Sequence, residues 1–146
     1  MKYMCLIYED ESHFAKMSES EKDVLYGDYY NSADAIKRSG HHIAGDPLLP
    51  TPTATTVRVR NGKTQTTDGP FAETKELIAG FWMFQVRSKE EAIEWVKRCP
   101  NPHPGHTSEI EIRQVFDADD FGAEFTPELR AREERLVQQM EANKKK

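Results

Sequence analysis

Two continuous apolar runs constrain this chain most strongly. Residues 2–8 read KYMCLIY and residues 80–86 read GFWMFQV. Both runs have the length of a strand, and neither alternates regularly between apolar and polar side chains. Runs of this kind are typical of strands that are buried on both faces. We therefore expect both segments to lie at the centre of a sheet.

Helix signals follow each of the two runs. Residues 18–21 read SESE and residues 88–91 read SKEE, the pattern of a capping box. After the first box, apolar or small side chains recur at helical spacing at Leu25, Tyr29, Ala33 and Ile36. Gly40 then provides a stop signal. These signals predict one helix over about residues 19–39 and a second that ends before the Pro-rich residues 100–104.

Alternating segments supply the remaining strands. Residues 55–60 read TTVRVR, and the Asn61-Gly62 turn that follows is a strong hairpin signal. Residues 109–115 read EIEIRQV and also alternate. The element order predicts an α+β domain with the β-α-β-β-α-β pattern of the ferredoxin-like fold, to which the hairpin adds one extra strand.

The C-terminal segment has a different character. Residues 117–125 are acidic and read as a linker, and Thr126-Pro127 marks the start of an appended helix. Its thin apolar stripe consists of Leu129, Leu136, Val137 and Met140. We expect a domain over residues 1–116 and an appendage over residues 117–146. The helix either reaches across a partner subunit or is solvated.

The apolar character of both faces of the central strands predicts that a second subunit covers one face of the sheet. Two helices cover only one face of such a sheet, whereas its central strands are apolar on both faces. A second copy of the chain, related by two-fold symmetry, is the simplest cover for the other face. We therefore expect a homodimer with its sheets face to face.

Composition narrows the classes of function. Twenty basic and 25 acidic residues give a net charge of -5, which disfavours binding to a nucleic acid backbone. The two cysteines form no CxxC motif, and no apolar run is long enough to span a membrane, so we expect a cytoplasmic protein. No P-loop, nucleophile elbow or dinucleotide fingerprint is present, so no organic cofactor is implied.

The segment DGPFAETKE, residues 68–76, holds the main candidates for catalysis. Asp68 precedes a Gly-Pro turn, where its carboxylate either fixes the turn or acts as a general base. If the segment is extended, Glu73 and Lys75 point to the same side. Lys75 would then bind an anionic substrate group or lower the pKa of a neighbouring carboxylate.

Further candidates for ligand binding lie elsewhere. Glu111 and Arg113 share one face of the last strand, where they either pair at a solvated edge or line a cleft with Lys75. His42 is four residues from Asp46, which allows an acid–base pair, although a solvated loop histidine is the simpler interpretation. His103 and His106 lie in a Pro/Gly loop rather than on a helix, so we predict no metal site.

With these motifs in place, the chain resembles the YCII-related family, in its DGPF branch. The resemblance covers about residues 1–116. It rests on TATTVRVRNGKTQTTDGPFAETKE (residues 53–76), on the GFW strand, on EAIEWVKRCP (residues 91–100) and on EIEIRQV. One departure is Ile78-Ala79-Gly80, where branch members usually have two glycines, so an altered strand start is expected there.

The resemblance implies a dimeric α+β barrel. Some family members are enzymes that act on small ring compounds, with a suspected histidine–aspartate pair, but no histidine of this chain matches it. We expect a small-molecule site in a cleft of the homodimer, and a cofactor-independent lyase or isomerase is one form of it. The alternative is a non-catalytic accessory module of an extracytoplasmic-function sigma factor, because many branch members are encoded beside one. A third possibility is a purely structural dimer.

Overall fold

The structure, a computed structural model, describes residues 1–69, 77–100 and 108–144. Its strands are β1 (Lys2–Glu9), β2 (His42–Pro47), β3 (Thr55–Arg60), β4 (Lys63–Asp68), β5 (Leu77–Gln85) and β6 (Glu109–Val115). Its helices are α1 (Glu11–Phe14), α2 (Glu19–Arg38), α3 (Lys89–Val96) and α4 (Pro127–Lys144). The chain forms two compact units, Met1–Gln114 and Val115–Lys146.

The first unit is built on a four-stranded sheet with the order β2-β5-β1-β6. The two apolar runs therefore form its central strands, β1 and β5, which pair antiparallel. The strand β2 also pairs antiparallel with β5. The α+β class is confirmed, and this strand order is compatible with the predicted ferredoxin-like fold.

The hairpin is separate from the main sheet. Asn61 and Gly62 both have positive φ, 49° and 73°, as the predicted two-residue turn requires. However, β3 and β4 form a two-stranded sheet of their own instead of adding a strand to the main one. The edge of β5 is already occupied by β2, and every residue of β4 is exposed, so β4 has no apolar face to bury.

One face of the main sheet packs against the helices. Tyr3 lies opposite Phe84 in the ladder, and Cys5 lies opposite Trp82. Tyr3, Cys5 and Phe84 are at most 4% exposed and belong to a core with Ile36 of α2 and, from α3, with Ala92. This side is the helix-covered face. Its burial is the main source of stability for α2 and α3.

The other face carries apolar side chains that stay partly exposed. Met4 lies opposite Met83, and Leu6 lies opposite Phe81. Because side chains alternate along a strand, these four point away from the helix-covered face. All four side chains stay partly exposed to solvent in the single chain. These four residues define the open face.

The capping box predicted at the start of α2 forms completely, and the one predicted at the start of α3 forms only one of its two hydrogen bonds. The Ser18 N–H donates to Glu21 Oε2 at 2.8 Å, and the Glu21 N–H donates to Ser18 Oγ at 3.3 Å, so the first box is confirmed. At α3, Ser88 Oγ accepts from the Glu91 N–H at 3.3 Å. The Glu91 carboxylate accepts from the Arg87 N–H and guanidinium, which draw it away from Ser88.

The backbones of β2 and β5 approach each other closely at two glycines. A Cβ on Gly45 would lie 2.5 Å from Trp82 Cδ1. A Cβ on Gly80 would lie 3.0 Å from the carbonyl oxygen of Asp46. Ile7 pairs with Gly80 and Tyr8 with Ile78, so β5 bulges at its start, within the Ile78-Ala79-Gly80 segment where an altered strand start was expected.

The second unit contains a 3₁₀ segment followed by α4. The predicted linker forms 3₁₀ turns over Ala118–Glu124, and Asp117 accepts from the Ala118 N–H at 2.9 Å. The ring of Phe121 lies 5.1 Å from that of Phe116 and 5.2 Å from that of Phe125. The predicted cap of α4 forms, because Thr126 Oγ1 accepts from the Leu129 N–H at 3.3 Å. The aromatic contacts were not anticipated from the acidic composition.

The close approach at Gly45 gives a stability prediction. Gly45→Ala should destabilise the protein by about 1–3 kcal/mol, because the new methyl group overlaps the Trp82 indole. Gly27→Ala is the matched control, since a Cβ there meets nothing within 4 Å. In a helix that change should stabilise by roughly 0.5–1 kcal/mol. Urea unfolding measures both changes, and equal stability of the two variants would refute the packing of Trp82 on β2.

Candidate functional site

The residues of the DGPF motif are only partly described. Glu73 and Lys75 lie outside the described residues. Asp68 is the last residue of β4, exposed and opposite Thr55. Gly69 has φ +97°, which fits the predicted turn. The Gly69 N–H donates to the Ala54 carbonyl at 2.7 Å, so the chain leaving the hairpin is held by backbone bonding.

A polar cluster lies where β1 meets β6. The Tyr8 hydroxyl donates to Glu111 Oε2 at 3.2 Å. The guanidinium of Arg113 lies 2.5 Å from Glu111 Oε1. The structure thus brings together two of the predicted ligand-binding residues, Glu111 and Arg113, with a third residue that was not predicted. These three residues are called the Tyr8 cluster below.

Alternation along β6 positions this cluster. Ile110 and Ile112 pack against the core on the helix-covered face. Glu111 and Arg113 therefore project to the opposite side, the side of the open face. The hydrogen bond to Glu111 places Tyr8 on that side as well. Tyr8 was missed because it ends an apolar run, although its even spacing from Met4 and Leu6 is a usable signal.

The environment of Tyr8 favours its protonated form. Burial raises the pKa of the Tyr8 phenol above its usual value, and the hydrogen bond to Glu111 and the charge of Glu111 raise it further. The charge of Arg113 acts in the opposite direction. The phenol therefore stays protonated at neutral pH and donates a hydrogen bond, adjacent to a carboxylate and a guanidinium.

Space for a ligand is present beside the cluster. An open cavity of about 520 Å³ is lined by Tyr8, Glu109, Ile110 and Glu111. This volume is within the range of small-molecule sites. One hydroxyl and two carboxylates thus border a space that a small polar molecule can fill, and Arg113 pairs with one of these carboxylates.

His42 lies apart from this cluster. It is on β2, at the opposite edge of the sheet from β6. His42 lies opposite Phe84, whereas Asp46 lies opposite Phe81, so the two side chains start from opposite faces of the sheet. Burial lowers the pKa of His42, Lys37 lowers it further, and Asp46 opposes both. This register does not favour a His42–Asp46 acid–base pair.

A second cavity lies on the helix-covered side. It has a volume of about 210 Å³, between α2, β5 and α3. Its walls contain both tryptophans of the chain, Trp82 and Trp95, together with Arg98 and Cys99. Sequence reasoning treated the segment that follows Ser88 as a packing helix and did not single out Trp95 or Arg98. Their spacing of three residues is the signal that was available, because it puts both on one face of the helix expected up to residue 99, although α3 itself ends at Val96.

The described residues also bear on metal binding and on membrane-spanning helices. Within residues 1–69, 77–100 and 108–144, no group of three or more His, Cys, Asp or Glu side chains is arranged to hold a metal ion. His103 and His106 lie outside these ranges. In the same part of the chain, no helix combines the length and apolarity needed to cross a membrane.

Both thiols should react slowly. Burial raises the pKa of Cys5 and that of Cys99 to about 12. A raised thiol pKa lowers the thiolate fraction at every pH below it, so labelling by a disulfide reagent at about pH 8 should be at least about 100-fold slower than in urea. The absorbance of the released thiol measures both rates. A native thiol that reacts at the unfolded rate would contradict this assignment.

Comparisons with known proteins identify a family and a similar protein. A family model described as "YCII-related domain" matches residues 1–117. The chain is also 34% identical over 115 residues to an uncharacterised protein of Rhizobium meliloti (strain 1021). That alignment covers 79% of this chain and 92% of the relative.

Proposed function

The chain belongs to the YCII-related family, and on that premise we propose that it binds a small molecule in a cleft of a homodimer. The Tyr8 cluster lies in this cleft. The observation that carries the proposal is the bonded series Tyr8–Glu111–Arg113 on the side of the sheet that the helices leave free.

The homodimer accounts for the open face. Met4, Leu6, Phe81 and Met83 form a contiguous apolar surface on two central strands and remain partly exposed in the single chain. A second copy placed by a two-fold axis offers an identical apolar surface, and mutual burial removes both from water. The cavity beside Tyr8 then lies at the margin of this interface.

The cluster defines the chemistry of the ligand. Tyr8 offers a hydroxyl donor, Glu111 a carboxylate acceptor, and Arg113 a cation that is 71% exposed and accessible to a second anion. A small molecule with a carbonyl, a negatively charged group and a hydroxyl donor satisfies all three. Ile110, which also lines the cavity, favours a compact apolar body.

The same groups can catalyse proton transfer. Glu111 removes a proton from the carbon next to the ligand carbonyl, and the C–H electron pair moves to form an enolate. The Tyr8 hydroxyl, which donates to Glu111 before the ligand binds, turns to donate its hydrogen bond to the developing oxyanion. Return of the proton at another carbon gives an isomerase, and loss of a β-substituent gives a lyase. Neither route uses an organic cofactor. Asp68, Glu73 and Lys75 remain candidate catalytic residues.

Deuterium exchange tests the binding and the chemistry together. The protein is incubated in D₂O with small 2-oxo acids, hydroxy acids and lactones at about 1 mM each. Proton NMR then measures loss of the C–H signal. The account predicts exchange for at least one compound, and a loss of at least about 100-fold in the rate for Glu111→Gln.

Tyr8→Phe and Tyr30→Phe form a matched pair for the same assay. Tyr8→Phe removes only the hydroxyl that bonds Glu111 and should slow exchange by about 10- to 100-fold. Tyr30 is 76% exposed on α2, and its variant should behave as the wild type. Ligand binding without exchange would indicate the regulatory alternative. Equal activity of both variants and the wild type would refute the role of Tyr8.

A further inference from the structure

The cavity on the helix-covered side is separate from the Tyr8 cluster. It lies between α2 and α3, above β5, whereas the Tyr8 cluster lies on the other side of the sheet. Its apolar walls are Ile36, Trp82, Phe84 and Trp95, and its polar margin includes Ser32 and Arg98.

Its aromatic walls are held in place. The rings of Trp82 and Phe84 stack with centroids 6.0 Å apart, and Trp82 also lies directly against Gly45, where no Cβ fits. Trp95 has the guanidinium of Arg98 over its ring at 4.3 Å. The walls are therefore fixed before any ligand binds, which reduces the entropic cost of binding.

Arg98 carries a charge that is available to a ligand. In the part of the chain that the structure describes, no hydrogen bond or ion pair uses its guanidinium, whose contact is the face of Trp95. The neighbouring Glu94 pairs with Lys97 at 2.7 Å, and after the hydrogen bond and charge of Lys97 the charge of Arg98 also lowers the pKa of Glu94. The N–H edge of a guanidinium that stacks by its face remains free to bind a carboxylate with two hydrogen bonds.

The other polar groups of the cavity do not repel an anion. The Ser32 hydroxyl donates to the carbonyl oxygen of Arg98 at 3.1 Å, so it adds no charge. Burial raises the pKa of Cys99 to about 12, which keeps this thiol uncharged at neutral pH. Arg98 is the charged side chain among the described residues of the wall.

We propose that this cavity binds a small aromatic carboxylate, with its ring between Trp82 and Trp95 and its carboxylate on Arg98. The volume supports one ring: a cavity of about 150 Å³ holds benzene, and this one measures about 210 Å³. Aromatic walls favour a flat ring through offset or edge contacts.

Benzoate titration of the intact chain, followed by NMR, tests the proposal. Trp82 and Trp95 are the two tryptophans of the sequence, so the two indole N–H signals report directly on the cavity. Both signals should shift together and saturate with a Kd on the order of 1 mM. No shift of either signal at several times that concentration would overturn the proposal.

A charge-removing variant tests the role of Arg98. Arg98→Met keeps an apolar stem over Trp95 and should weaken benzoate binding at least about tenfold. Its affinity for benzyl alcohol, which has no charge, should not change. Lys22→Met is the matched control, because Lys22 also lies over an aromatic ring, that of Phe14 at 5.0 Å, and does not line the cavity; it should bind benzoate as the wild type does. Equal benzoate affinity for Arg98→Met and the wild type would overturn the proposal.

A second variant tests the position of benzoate in the cavity without removing the charge of Arg98. Ala35 lies on α2 and lines the cavity, and leucine is a good helix former. Ala35→Leu should therefore fold and abolish the benzoate shifts. Tyr8→Phe should leave them unchanged, so this proposal and the proposed function can fail separately. Benzoate binding that survives in Ala35→Leu, or is lost in Tyr8→Phe, would place the ligand elsewhere and contradict the assignment.

Discussion

The register between β1 and β5 is the constraint on which the rest of the structure depends. Cys5 lies opposite Trp82, and Leu6 lies opposite Phe81. Each successive pair turns to the other face of the sheet. A shift by one residue would expose the aromatic core and place the open-face side chains under the helices. This single register therefore fixes which apolar side chains the chain buries itself and which it leaves partly exposed.

Two candidate sites follow from this division. On the helix-covered side, Trp82 extends from the core to a cavity that Trp95 and Arg98 also line. On the other side, β6 turns Glu111 towards Tyr8 of β1. The helix-covered cavity has an aromatic wall and one cation. The Tyr8 cluster has a hydrogen-bond donor, a carboxylate and a cation beside an apolar surface, so it suits a different ligand and proton transfer to the carboxylate.

The sequence was sufficient where one local signal decides the structure. Unbroken apolar runs predicted the central strands, Asn61-Gly62 predicted the hairpin, and Ser18 with Glu21 predicted the start of α2. It was insufficient where two distant segments meet. Tyr8 and Glu111 are separated by 103 positions, and only the sheet order brings them into contact. The apolar run that Tyr8 ends also concealed this residue. The contacts of Phe121 with Phe116 and Phe125 are local, and the acidic composition of their segment concealed them.

The central claim is that a second copy of the chain covers the open face and forms the cleft beside the Tyr8 cluster. Light scattering coupled to size-exclusion chromatography, at micromolar protein concentration, measures the molar mass in solution directly. The account predicts twice the chain mass of 16.8 kDa. A mass equal to that of a single chain would contradict it.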